Sequence, residues 1–149
     1  MWRRKSTHFF EHLEKSTIVG AIQDAEKRSL GQIRVHVHHG RSRDPLADAR
    51  RVFARLGMQK TAGRTGCLVF IAPADRVFAV IGDEGIHEKV GEGFWTEARD
   101  DAAARFAENQ FTEGIVAAVA KIGDELARHF PRTGEAAKTN ELPDDVTED

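Results

Sequence analysis

Two hydrophobic rhythms run along the chain, one helical and one strand-like. Ile18, Ala21, Ile22 and Ala25 recur at i, i+3, i+4 and i+7, so a helix is expected there, capped by Ser16 or Thr17. Gly31, free to take positive φ, is expected to end it. Ile33, Val35 and Val37 then alternate with Arg34, His36 and His38, which predicts a strand with one less buried face, near a sheet edge. Asp44-Pro45 opens a second helix: Asp44 can accept from the free first-turn N–H groups, and Pro45 has no N–H to leave unpaired. Leu46, Ala49, Val52, Phe53 and Leu56 form its expected buried stripe, and Gly57 closes it.

Cys67 to Ala72 and Val77 to Ile81 are apolar without interruption, as strands covered on both faces are. Pro73-Ala74-Asp75-Arg76 joins them as a tight turn, so they form an antiparallel hairpin. The strand–helix–strand unit before it predicts a parallel, right-handed crossover. A helix from Phe94 to about Glu108 would bury Trp95, Ala98, Ala102 and Phe106. Thr112 is the expected cap of the last helix, whose stripe is Ile115, Val119, Ile122 and Leu126 and whose stop is Pro131. At the start, Phe9, Phe10 and Leu13 at helical spacing predict a helical segment over 1–16. Few large apolar residues follow Arg132, so 132–149 is expected to be a disordered acidic tail.

A chain of 149 residues with 40% apolar content suits one domain around one core, here placed at 17–131. Net charge is −2, from 22 basic and 24 acidic residues, which gives no electrostatic case for nucleic acid. The single cysteine, Cys67, excludes an internal disulfide and suits a reducing compartment. Met1-Trp2-Arg3-Arg4-Lys5 has the charge of a signal n-region, but Glu11, Glu14 and Lys15 interrupt any apolar stretch after it. No run reaches the roughly 18 apolar residues of a membrane span. The expected setting is cytoplasmic.

The order of these pieces resembles the TPM domain, named for thylakoid, photosystem-assembly and acetylcholine-receptor modulator proteins, in its short bacterial form. The resemblance is carried by Gln32-Ile33-Arg34-Val35-His36-Val37, by Asp44-Pro45-Leu46 through Leu56-Gly57-Met58, and by Thr65-Gly66-Cys67-Leu68-Val69. It continues through the Asp75-Arg76 turn, Ile81-Gly82-Asp83-Glu84-Gly85-Ile86 and Phe111-Thr112-Glu113-Gly114-Ile115. It implies an α/β fold: a three-layer α/β/α sandwich on a small mixed sheet, a βαβ crossover followed by an antiparallel hairpin. It also implies an accessory or binding domain, with acid phosphatase activity and divalent-cation binding known among relatives. Two positions depart from the family pattern. Thr65 stands where an Asn is usual, and Gly82-Asp83-Glu84-Gly85-Ile86 where exported members show Gly-aromatic-Gly-Leu-Glu.

Hairpin geometry narrows the search for chemistry. If Ala72 pairs with Val77, Gly66 faces Asp83, and the basic loop 60–65 meets the acidic loop 83–85 at one sheet end. Asp83, Glu84 and Glu88 then form a candidate site for Ca²⁺ or Mg²⁺, hard cations that select carboxylate oxygens. Lys60 and Arg64 are candidates to hold a phosphate or a partner's acidic group. The alternative is an exposed loop whose carboxylates simply pair with Lys60 and Arg64. Asp44 and Asp75, expected near each other at the opposite end, are read as cap and turn residues.

His36 and His38 share a strand face and with His39 could approach one transition metal, but a half-buried polar face is the simpler reading, and His87 has no place beside them. Several catalytic devices are excluded. Gly57 to Thr65 has Arg64 where a phosphate loop needs Lys, and it precedes a strand. Cys67 has Pro73, not Arg, six positions on, and no G-x-S-x-G occurs. A phosphatase here could work only by metal-assisted attack of water. The competing expectation is a non-catalytic domain with a protein partner, docking through its charged loops or through Trp2, Phe9 and Phe10.

Overall fold

In the computed structural model, which describes residues 13–132 and 146–149, the apolar runs pair in the register read from the sequence. Strands β1 (Gln32–Val37), β2 (Gly66–Ala72), β3 (Val77–Gly82) and β4 (Val146–Glu148) form one sheet in the order β3-β2-β1-β4. β1 and β2 are parallel, and β2 and β3 antiparallel with Ala72 opposite Val77. The helices are α1 (Lys15–Lys27), α2 (Pro45–Arg55), α3 (Glu84–Val90), α4 (Glu92–Phe106) and α5 (Phe111–His129). One sheet face packs Ile33, Val35, Val37, Val69 and Ile71 against the stripes of α1, α4 and α5. The other packs Leu68, Phe70 and Ala79 against Ala49 and Val52 of α2, with Met58. Helices therefore cover a mixed sheet on both faces, the α/β sandwich expected.

The stripes of α1, α4 and α5 are buried as read, Ala21 only partly, and Asp44 caps α2 by accepting from Ala47 N–H at 3.1 Å. Several local expectations are corrected. Thr112 does not cap α5; its hydroxyl accepts from Glu14 N–H at 3.1 Å and pins the entry to α1, which begins at Lys15 with no side-chain cap. Gly31 does not close α1, which ends at Lys27; a Cβ there would lie 2.6 Å from Leu126, so close packing excludes a side chain. Leu46 lies 47% exposed, because α2 leaves this residue outside its contact with the sheet. The expected acidic loop after β3 is α3, with Asp83 as its N-cap.

The largest correction concerns β1 and the tail. β1 is no half-exposed strand: all six of its residues are buried. Its outer side is taken by β4, in parallel register with Val146 opposite Val35 and Thr147 opposite His36. The tail expected to be disordered over 132–149 thus ends in a strand. Composition argued against this, but Val146, 5% exposed, completes the larger core, and backbone bonds continue past the strand to His39. The expected N-terminal helical segment, with Trp2, Phe9 and Phe10, lies outside the described residues up to Leu13, whose side chain is buried.

Candidate functional site at the hairpin rim

The β2–β3 ladder runs on one step past β3, where Asp83 N–H donates to the C=O of Gly66, the first residue of β2, at 2.8 Å. This brings the loop before β2 against the start of α3, as the register required. Arg64 holds a left-handed backbone, φ 55°, and its carbonyl accepts from Gly85 N–H at 2.9 Å. A Cβ on Gly85 would sit 1.9 Å from the Gly63 carbonyl oxygen, so only glycine permits this approach. From that anchor the Arg64 guanidinium forks onto Asp83, Nε to Oδ2 at 2.6 Å and Nη2 to Oδ1 at 2.8 Å. Nη1 reaches Glu84 Oε1 at 3.3 Å, while Glu84 N–H donates to Asp83 Oδ1 at 2.8 Å. The Asp83 hydrogen bonds outweigh desolvation and hold the guanidinium more firmly protonated than usual.

Arg64, Asp83 and Glu84 are therefore brought together. Lys60 and Glu88 are exposed and join no ion pair among the described residues. Both oxygens of the buried Asp83 are engaged, so a hard cation fits here only in exchange for the Arg64 guanidinium. Among the described residues no three of His, Cys, Asp and Glu form a ready metal cage. His87, on α3, accepts at Nδ1 from the Trp95 indole at 2.9 Å. Cys67 is a buried free thiol whose pKa burial pushes far up, an effect reinforced by Asp83 and Glu26.

A second cluster, not foreseen, lies at the opposite sheet end. The Asp149 carboxylate receives Arg55 Nη2 at 2.8 Å and lies 2.6 Å from His38 Nδ1 and 3.0 Å from His36 Nε2. His36 Nδ1 stands 2.6 Å from the Thr147 hydroxyl, and His39 Nε2 2.6 Å from Glu148. Burial lowers the pKa of His36 more than Asp149 raises it. A neutral ring meets both contacts if Nε2–H faces Asp149 and Nδ1 accepts from Thr147. His36, His38 and His39 thus serve as sockets for the strand β4. The only hint in the sequence was Val146-Thr147, a β-branched pair inside an acidic run. Asp75 accepts from Arg41 Nε at 2.7 Å and Ser42 N–H at 2.6 Å, tying the loop that leads from β1 to Asp44 onto the hairpin turn, while Asp44 caps α2.

These features define an α/β sandwich domain with an ion-paired rim at the open end of a hairpin. The chain belongs to the TPM-domain family, whose model matches residues 4–125. It is similar to the BA42 protein of the psychrophilic bacterium Bizionia argentinensis, with 34% identity over 91% of this chain and 92% of that one and a TM-score of 0.82. The N-terminal domain of the cg2496 protein of Corynebacterium glutamicum shares the fold, at 15% identity, 86% and 79% coverage and a TM-score of 0.60. No curated protein matches the chain significantly. No helix among the described residues is long and apolar enough to cross a membrane.

Proposed function

We propose that this TPM domain is a non-catalytic binding module whose rim exchanges the Arg64 guanidinium for a divalent cation, Ca²⁺ or Mg²⁺. The observation that supports it is the engagement of both Asp83 oxygens by one arginine whose side chain is 44% exposed. A carboxylate so held offers no free oxygen to activate water, yet its partner can swing into solvent when a stronger cation competes. Asp83 and Glu84 would then supply oxygens, with Glu88, one turn further along α3, able to lean in. The freed Arg64, with Lys60, would face an acidic group of a protein partner. A cytoplasmic setting belongs to the same reading, since Cys67 persists as a free buried thiol.

Calcium titration followed by amide NMR tests the reading. Expected shifts at Asp83 to Glu88 exceed those in the acidic tail; shifts no larger than the tail's would remove the cation. The alternative is a metal-assisted phosphatase acting on phosphate monoesters, favoured by the same rim because it holds carboxylates and a guanidinium together. Hydrolysis of a generic phosphate ester, with and without divalent cations, separates the two. The binding module predicts equal, near-background rates for wild type and Asp83→Ala; a cation-dependent rate lost in Asp83→Ala would establish the enzyme.

A further inference from the structure

Among the described residues β3 pairs only with β2, so one of its sides is a sheet edge. The N–H and C=O of one strand residue point the same way, and successive residues alternate. Because Asp83 N–H points to Gly66, the backbone groups of Gly82, Val80 and Phe78 point away from β2. Among the described residues nothing takes up these groups. An open groove of about 270 Å³ runs along this edge, with α2 as one wall and α4, through Glu92 and Trp95, as the other. A further space of about 180 Å³ continues it past Phe78.

The α2 wall presents Leu46, Arg50 and Phe53, spaced i, i+4 and i+7 on one helix face. Leu46 is the large apolar side chain left exposed among the described residues, and Arg50 has no hydrogen bond or ion pair there. Steps of four and three residues along a helix cover roughly 6 and 4.5 Å, somewhat less than the roughly 6.8 Å between alternate residues of a strand, a difference of about 1 to 2 Å per step that side chains can span. We propose that this edge receives an extended segment of a partner protein as a fifth strand. Its central acidic side chain faces Arg50, and apolar side chains two positions to either side face Leu46 and Phe53. Backbone pairing with Phe78, Val80 and Gly82 supplies affinity, and the α2 wall supplies selectivity. A second copy suits the groove less, because twofold pairing of two β3 edges about Val80 sets Arg50 against its own symmetry mate. The inference rests on the binding-module reading and names the class of partner.

Selection from a displayed library of random nine-residue segments against the full chain, then an amide NMR titration with the enriched synthetic peptide, tests it. The expected peptides carry a central Asp or Glu flanked two positions away by apolar residues, and they shift Phe78, Val80 and Gly82. Arg50→Glu, a change on an exposed helix face that leaves the remaining spectrum intact, is expected to prefer the Lys-centred peptide by about tenfold. No enrichment, a different pattern, shifts away from β3 or indifference to Arg50→Glu would overturn the proposal. Concentration-dependent shifts at the same three amides in the protein alone would overturn it too, giving the edge to a second copy. Cation-dependent hydrolysis at the rim would instead refute the binding-module reading, and it is measured separately from β3.

Discussion

At the hairpin rim, charges meet across a short stretch of chain: Arg64 and Asp83 are 19 residues apart and joined through one ladder. At the other end of the sheet, Arg55 and His38 close on a carboxylate 94 and 111 residues away, and that contact holds β4 in place. The rim cation is half exposed, whereas the His36 side chain at the far end is 1% exposed. Exposed pairs in high dielectric are weak and exchangeable, while buried groups lose heavily when one partner is removed. The far cluster is therefore a structural latch, and the rim is the place where a ligand can compete.

Depth, more than charge, should rank the effects of mutation. The deepest pair lies at the rim end of β1, where Glu26 Oε2 accepts from Arg34 Nη1 at 2.9 Å and Ile33 N–H at 2.8 Å. Both side chains are nearly inaccessible, so Glu26→Ala leaves a buried guanidinium without its carboxylate. A loss of about 3–5 kcal/mol is expected in urea unfolding. Asp149→Asn comes next, at about 1–2 kcal/mol, because it weakens charge-assisted bonds to Arg55, His36 and His38. Amide exchange should then accelerate at Thr147 and Glu148 while β2 and β3 stay protected, which confines the effect to the latch.

Acid should act on the same end. Burial lowers the pKa of His36 from its ordinary 6.5, so below that pH the unfolded chain takes up a proton that the folded ring resists. Stability therefore falls as pH drops from about 6.5 toward the folded value. Burial alone would raise the pKa of Asp149, but hydrogen bonds from Arg55, His36 and His38 hold it well below the carboxylate range. Its contribution is present above its ordinary 3.8 and is lost as pH falls further. Both groups favour release of β4 in acid. Thermal midpoints measured against pH should show a mild-acid decline that His36→Asn removes and a steeper one below pH about 4 that Asp149→Asn removes.

The same contrast explains what the sequence could disclose. Cys67 to Ala72, Val77 to Ile81 and the turn between them set a register by counting, and that register placed Arg64 beside Asp83 before any coordinates. The helix stripes, including Trp95, Ala98, Ala102 and Phe106, were legible for the same reason: periodicity is local. The latch was not. Arg34, His36 and His38 read as a polar face because their partners, Glu26, Thr147 and Asp149, come from another helix and from the far tail. No local pattern encodes a contact over 111 residues, and three strand residues in an acidic run give almost no hydrophobic signal. The expected α2 stripe, Leu46, Ala49, Val52, Phe53 and Leu56, was misread at Leu46 for the same reason, since burial of its first residue depends on where the sheet stops.

The smallest expected change in stability is the most telling about the rim. Arg64→Ala removes the half-exposed partner of the buried Asp83, and water can enter the vacated space to hydrate the carboxylate, so a loss of only about 1 kcal/mol is expected in urea unfolding. Its effect on ligand binding should be large by comparison. With the guanidinium gone, Asp83 keeps its bond from Glu84 N–H and faces solvent with its Oδ2 free and Glu84 beside it. A hard cation then no longer has to displace a bound positive charge, and Ca²⁺ should bind several-fold more tightly than to wild type in a calorimetric or NMR titration. Arg64→Lys should fall between the two, because a compact ammonium cannot fork onto both carboxylate oxygens. If removing Arg64 weakened the cation or left it unchanged, the guanidinium would be no competitor, and the rim would be a plain surface ion pair.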